Sequence, residues 1–153
     1  MKPESSIAIA GVGAVGLAAI MAAKISKAGT IIAIDIHQSR LSLASELGAT
    51  DKILSLGKDI NQEIRKIIED GVDYAVDCTG VPKILESLIT SLGVKGQAVT
   101  IGSPAQGQTV SINIFDHLVN GRSYTGTHQG DSNPSQGADF HALLMVVHSV
   151  FNL

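Results

Sequence analysis

Three glycines stand at the spacing that can bind the diphosphate of a dinucleotide. Gly11, Gly13 and Gly16 lie between a short apolar run and a longer apolar stretch. In this pattern the first glycine makes a tight turn, the second lets the backbone approach a pyrophosphate, and the third lets a helix pack closely on a strand. The unpaired N–H groups of Ala14 and Val15 would then face the phosphates, where the helix dipole favours negative charge. A glycine triplet alone is a weak signal, and its predicted strand–turn–helix context strengthens it.

A carboxylate follows at the distance that this motif requires. Asp35 comes directly after a second apolar run, about 20 residues beyond Gly16. It can accept hydrogen bonds from both hydroxyls of an adenine ribose and would repel a 2′-phosphate, so the sequence favours NAD over NADP. Arg40 is the counterargument, because a nearby guanidinium could bind that phosphate. The alternative for Asp35 is an ordinary turn residue after a strand.

The elements that must position these residues follow from the hydrophobic pattern, which switches between short β-rich runs and longer helical stretches. We predict strands at 6–10, 30–34, 52–54, 73–78, 97–101 and 122–127, and helices at 14–28, 39–47, 59–69 and 82–92. Gly29 and Gly48 are expected to end the first two helices. Residues 109–114 alternate apolar and polar side chains as a strand does, and 115–120 could form one or two helical turns. The predicted fold is α/β, a Rossmann fold with a doubly wound six-stranded parallel sheet and helices on both faces.

The composition excludes several classes of protein. Among 153 residues, 11 are Lys or Arg and 14 are Asp or Glu, and the net charge of −3 excludes a chain that coats nucleic acid. With 44% hydrophobic and 16% charged residues the chain should fold. The uncharged run 7–23 is punctuated by glycines and shorter than the roughly 20 residues that span a bilayer, which disfavours a signal peptide or membrane segment. Cys78 is the single cysteine and fits a reducing compartment, so we predict a cytoplasmic protein.

Five segments, in their order and spacing, resemble the coenzyme-binding domain of the zinc-dependent, medium-chain alcohol dehydrogenases, and most of all the aryl (benzyl) alcohol branch of that family. These segments are IAIAGVGAVGLAAIMAAK, IIAIDIHQSRLSLASELGAT, GVDYAVDCTG, GQAVTIGSP and NGRSYTG. The resemblance covers roughly residues 5–134. The combination is far more specific than any single segment.

The resemblance implies a set of contacts with NAD. The backbone of Ala14 and Val15 would meet the pyrophosphate, and Val15 would also touch the nicotinamide. Asp35 and Arg40 would contact the ribose. The remaining implied contacts are the two walls of the adenine slot, Ile36 and Thr79, and three positions whose backbone would hold the carboxamide, Ser103, Thr127 and Gln129.

The zinc chemistry of that family is not predicted from this sequence. In the family, a preceding domain supplies a Cys, a Gly-His-Glu stretch and the substrate pocket, and none of these occurs here. We therefore predict no catalytic residue and no metal site. The expected organisation is an NAD-binding domain at 1–134, no N-terminal zinc domain, and an atypical tail at 135–153, which indicates a truncated or altered product. His141 and His148 lie on a predicted helix, 140–151, without a third metal ligand nearby.

These predictions favour the NAD-binding part of an alcohol dehydrogenase, which would transfer hydride between NAD and a primary alcohol, with an aryl alcohol as the candidate substrate. Alone it is expected to be inactive. The alternative is a stand-alone NAD-binding regulatory module. Methyltransferases fit less well, because they usually have an acidic residue where Ala10 stands. Short-chain dehydrogenases also fit less well, because neither Tyr74 nor Tyr124 begins their Tyr-x-x-x-Lys motif.

Residues 109–114 resemble the strand through which dimeric relatives pair, which predicts a homodimer.

Overall fold

Six parallel strands form one sheet in the computed structural model, which describes residues 1–127 of the chain. The strands are β1 (Ser6–Ala10), β2 (Thr30–Asp35), β3 (Asp51–Leu54), β4 (Val72–Asp77), β5 (Leu92–Thr100) and β6 (Ser123–Gly126). Their order across the sheet is β3-β2-β1-β4-β5-β6. The chain therefore starts in the middle of the sheet, builds one half outward to β3, and then returns to build the other half from β4. The predicted Rossmann fold is confirmed, and its strand order reverses between β1 and β4.

Helices cover both faces of this sheet. They are α1 (Ala14–Ile25), α2 (Gln38–Leu47), α3 (Ile60–Ile67), α4 (Pro82–Thr90) and the short α5 (Ile114–Val119). In β1, Ile7 and Ile9 pack towards α1 and α2, whereas Ala8 and Ala10 pack towards α3 and α4. All four side chains are buried. A sheet that is buried on both faces explains why its central strands read as nearly continuous apolar runs.

The first helix ends earlier than predicted. α1 stops at Ile25, and Lys27 takes a left-handed backbone conformation with φ of 60°. The N–H of Ala28 donates to the carbonyl of Ala23, so Lys27 makes the reversal that we assigned to Gly29. Gly29 has a different constraint, because a Cβ there would lie 2.8 Å from the carbonyl oxygen of Glu4.

The segment predicted as a strand at 109–114 is not one in the single chain. Residues 109–113 have no regular secondary structure, and Ile114 is the first residue of α5. Val110 and Ile112 pack against the core on the α3 and α4 side. The N–H of Ser111 donates to the carboxylate of Glu86 on α4. The alternating pattern is thus satisfied by packing beside α4 and not by pairing in the sheet.

Some predictions fall on residues that the structure does not describe. Gln129, the tail at 135–153 and its predicted helix at 140–151 lie outside the described residues. Within residues 1–127, none of the helices combines the length and apolar character needed to cross a membrane.

Candidate dinucleotide-binding site

A cleft of about 610 Å³ opens at the carboxyl ends of β1, β2 and β4. This is where the strand order reverses, the usual place for a ligand in an open α/β sheet. The predicted cofactor residues that line it are Gly11, Gly13, Ala14, Val15, Gly16, Asp35, Ile36, Arg40 and Thr79. The fold therefore brings the glycine motif and the acidic residue after β2 to one site.

Two of the three glycines are required by the protein's own packing. Gly11 makes the turn after β1 with φ of +82°, and its N–H donates to the carbonyl of Ile34 at 2.8 Å. A Cβ at Gly11 would lie 2.7 Å from the side chain of Thr79. A Cβ at Gly16 would lie 2.2 Å from the carbonyl oxygen of Gly11, much closer than a side chain can come. The first turn of α1 can pack on the glycine turn only because Gly16 has no side chain.

Gly13 differs from both. Its φ of −74° is open to any residue, and a Cβ there would meet no atom within 4 Å. The described part of the fold gives no reason for a glycine at this position. Because Gly13 lines the cleft, the space left by its missing side chain is part of the cleft itself. This is the room that a phosphate approaching the backbone would need.

The amides at the start of α1 are available to an anion. Gly13 occupies the cap position and has no side chain to accept from them, and the first turn contains no acidic residue. By contrast, the carboxylate of Asp59 caps α3 by accepting from the N–H of Gln62 at 3.2 Å. The uncapped amides and the helix dipole together make the start of α1 a favourable place for a diphosphate.

Asp35 is buried at the edge of this site and has a structural role that the sequence did not predict. One carboxylate oxygen accepts from the N–H of Val12 at 3.0 Å, and the other accepts from the N–H of His37 at 2.9 Å. The guanidinium of Arg40 lies 3.6 Å away. Asp35 thus holds the glycine turn against the end of β2. A carboxylate has about four acceptor positions, so it retains capacity for ribose hydroxyls.

The residues implied for the adenine slot give the cleft a largely apolar lining. Ile36 is half exposed, and the hydroxyl of Thr79 donates to Asp77 at 2.6 Å, so it is already engaged within the protein. Sequence reasoning missed three further apolar residues that line this cleft, Ile60, Val81 and Ile84. They lie in or just before the helices that follow β3 and β4, and only the strand order shows that these helices begin at the cleft.

Asp77 is a second acidic residue that sequence reasoning missed. It is the last residue of β4, almost fully buried, and its carboxylate accepts from the hydroxyls of Thr79 and Thr100 and from the N–H groups of Thr79 and Gly80. These bonds tie the carboxyl ends of β4 and β5 together. Burial, with a smaller contribution from Asp77, raises the pKa of the neighbouring Cys78 thiol to about 12. The thiol therefore stays protonated at neutral pH, and Cys78 packs against the core as a small hydrophobic residue does.

Two of the three positions implied to hold the carboxamide, Ser103 and Thr127, do not line the cleft. Ser103 lies in an exposed loop after β5, and Thr127 directly follows β6, where its N–H donates to the carbonyl of Thr100. Both follow carboxyl ends of strands and so lie at the same edge of the sheet as the cleft. Gln129 is outside the described residues.

The described residues do not fit a metal centre. Between residues 1 and 127, no group of three His, Cys, Asp or Glu side chains is placed to hold a metal ion. A zinc ion is therefore not assigned to this part of the chain.

Comparisons of the chain with family models, known sequences and solved structures all find dehydrogenases. The zinc-binding dehydrogenase family matches residues 14–146. An S-(hydroxymethyl)glutathione dehydrogenase of Synechocystis is 38% identical over 132 residues, which is 83% of this chain and 35% of the relative. The crystal structure of benzyl alcohol dehydrogenase from Acinetobacter calcoaceticus matches with a TM-score of 0.85 and 38% identity, over 97% of this chain and 40% of that one. A zinc-binding dehydrogenase of Sinorhizobium meliloti, solved with NADP bound, matches with a TM-score of 0.82 and 27% identity, over 97% of this chain and 43% of that one.

Proposed function

We propose that this chain, which belongs to the zinc-binding dehydrogenase family and carries its C-terminal coenzyme-binding domain, binds NAD as part of an alcohol dehydrogenase. The chain spans 35% of the length of the relative from Synechocystis. One observation carries this proposal. Gly13 has open space where a side chain would be, and it stands in the cleft between the uncapped start of α1 and the buried carboxylate of Asp35.

The cleft offers a place for each part of NAD. The amides of Ala14 and Val15 would bind the diphosphate, and the Asp35 carboxylate would accept from the hydroxyls of the adenine ribose. Ile36 and Thr79 would stand on either side of the adenine ring. Each of these residues lines the same cleft.

Charge favours NAD over NADP at this site. A 2′-phosphate would be placed beside the buried Asp35 carboxylate, whose negative charge repels it. Arg40, the cation that could bind the phosphate, is already paired with Asp35 at 3.6 Å. The NADP bound to the S. meliloti protein makes cofactor choice the sharpest point to test.

Calorimetric titration with NAD and with NADP tests this proposal. We expect NAD to bind at least about tenfold more tightly, a difference of about 1.4 kcal/mol. Asp35→Asn should reduce the ratio of the NADP dissociation constant to the NAD dissociation constant, because it removes the charge that repels the 2′-phosphate. Asp70→Asn is the matched control, since it removes an exposed charge at the opposite edge of the sheet and should leave the ratio unchanged. Wild-type protein that binds neither dinucleotide, or prefers NADP, would contradict the proposal.

The proposed reaction of the whole enzyme is hydride transfer between NAD and a primary alcohol or its aldehyde, with an aryl alcohol as the candidate substrate because one structural relative is a benzyl alcohol dehydrogenase. The nicotinamide supplies the hydride chemistry, and residues outside the described part of this chain would have to supply the zinc and the substrate pocket. We therefore propose that this chain is inactive alone. Purified protein with benzyl alcohol, NAD and zinc should give no turnover above background, and appreciable turnover would contradict this proposal.

We also propose that two copies of the chain associate through residues 109–114 and α5. Ile114, Phe115 and Leu118 are 81%, 73% and 73% exposed, an unusual density of large apolar side chains on so short a helix. A two-fold contact would bury the same patch on both copies. Sedimentation at micromolar concentration should give a dimer, and a monomer would contradict the proposal.

A further inference from the structure

Ser55 brings to the cleft a hydroxyl that the proposed contacts leave unused. It follows β3 directly, and its N–H donates to the carbonyl of Asp35 at 3.0 Å, so the backbone of Ser55 lies beside Asp35. The residue is half-buried and lines the same cleft as Asp35 and Ile36. Its position is therefore fixed by the sheet and not by a long loop.

The hydroxyl of Ser55 differs from the other polar groups that line the cleft. The Asp35 carboxylate accepts from two backbone amides and pairs with Arg40. The Thr79 hydroxyl donates to Asp77 and accepts from the N–H of Val81. Within residues 1–127, the structure gives the Ser55 hydroxyl no hydrogen-bond partner. In an apolar pocket, a few polar groups without protein partners are the ones that select a ligand.

The order of the strands would place Ser55 beside the adenine base of a bound dinucleotide. The diphosphate would lie at the end of β1 and the adenine ribose at the end of β2, which pairs with β3 on its other side. The group that comes after the ribose in this outward direction is the adenine. Ile36 and Ile60 line the same cleft as Ser55, and apolar side chains of this kind suit the face of a flat aromatic ring but cannot recognise its polar edge.

We propose that the Ser55 hydroxyl hydrogen-bonds the N1 and N6 edge of the adenine and so makes the cleft selective for an adenine dinucleotide. This inference rests on the proposed NAD binding and deepens it. Ser55 is a specificity residue, since it would touch the base and no reacting atom. Its removal should not harm the fold, because the hydroxyl has no partner in the described protein to lose.

The test combines one change in the protein with one change in the ligand. Wild type, Ser55→Ala and Ser55→Thr are titrated with NAD and with its 1,N6-etheno derivative, in which a fused ring blocks that edge and whose fluorescence lets weak binding be followed. Ser123→Ala is the matched control, since Ser123 is exposed at the amino end of β6, far across the sheet.

We expect Ser55→Ala to weaken NAD binding about three- to tenfold, which is the range of one neutral hydrogen bond, and to change binding of the etheno derivative less than about twofold. Ser55→Thr, which keeps a hydroxyl, should retain the selectivity for NAD over the etheno derivative. Equal weakening for both ligands, or none for NAD, would overturn the inference while leaving NAD binding intact. Failure of wild type to bind NAD would instead contradict the proposed function.

Discussion

The half of the molecule around the cleft and the half that follows β5 are built differently. At the ends of β1 and β2, the glycine turn is held by the bond from Gly11 to Ile34 and by the bond from Val12 to the buried carboxylate of Asp35. Beyond β5, the chain runs through exposed residues 103–109 into α5, none of whose residues is buried. The first half is fixed by contacts within this chain. The second half is also tied to the core, through Val110, Ile112 and the bond from Ser111 to Glu86, but α5 presents exposed apolar side chains.

Because of this difference, the two halves would contribute differently to cofactor binding in the proposed enzyme. The half that would bind adenosine and diphosphate is complete within one cleft, so this chain should bind those parts by itself. The half that would bind nicotinamide depends on Ser103 and Thr127, which lie outside the cleft. We therefore expect changes in the first half to act strongly on stability or cofactor affinity, and changes in the second half to act mainly on association.

The largest effect is expected for Gly16→Ala. The new Cβ would lie 2.2 Å from the carbonyl oxygen of Gly11, and backbone on both sides would have to move. We expect the free energy of unfolding to fall by about 3 kcal/mol, at the upper end of what overpacking usually costs. Urea unfolding followed by circular dichroism measures this. A change below about 1 kcal/mol would mean that the turn is much softer than its contacts indicate.

Gly13→Ala should separate binding from folding in the same turn. Nothing lies within 4 Å of the new Cβ, so the unfolding free energy should change by less than about 0.5 kcal/mol. The methyl group would occupy the space that the diphosphate needs, and we expect NAD affinity to fall about tenfold or more. Ser123→Ala is the control, because Ser123 is exposed and outside the cleft. Unchanged affinity in Gly13→Ala would place the diphosphate elsewhere.

The half around the cleft was also the easier to predict from the sequence. β1 was predicted to the residue, because an apolar strand that ends in a glycine turn shows its limits locally. The contact between Val12 and Asp35 could not be predicted, since it joins residues 23 apart through strand pairing. Asp77 was missed for the same reason, because its partner Thr100 lies on a different strand.

Elsewhere a local signal had more than one physical solution. Helix ends favour glycine, but Lys27 adopts the left-handed conformation that a non-glycine residue takes only rarely. Alternating apolar residues at 109–114 indicated a strand, yet Val110 and Ile112 satisfy that pattern by packing on the core beside α4. Periodicity records which side chains are buried and does not record what covers them.

A smaller effect is expected from Cys78, which lies where the two halves meet. Its thiol pKa is raised to about 12 in the folded protein, so between pH 9 and 12 the unfolded chain holds fewer protons than the folded one. Stability must therefore fall as pH rises through this range. Between pH 8 and pH 10 we expect a loss of about 1 kcal/mol from this group. Burial also raises the pKa of Tyr124, whose contribution has the same sign.

Cys78→Ala isolates the thiol, because every other ionisable group is the same in the two proteins. The loss of unfolding free energy between pH 8 and pH 10 should be about 1 kcal/mol smaller in the variant than in wild type. Equal losses in the two proteins would show that the thiol is open to water and that the boundary between the halves is not sealed.

The smallest effect on folding is expected at α5. Phe115→Glu combined with Leu118→Glu replaces two side chains that are each 73% exposed, so little burial is lost and the unfolding free energy of the monomer should change by less than about 0.5 kcal/mol. The same charges would face each other across a two-fold contact, so sedimentation should shift from dimer to monomer. Ile25→Glu, at a 67% exposed position on α1, is the control and should leave association unchanged. A loss of 2 kcal/mol or more in a protein that is monomeric before and after substitution would mean that this apolar face is already covered, and the contrast between the two halves would not hold.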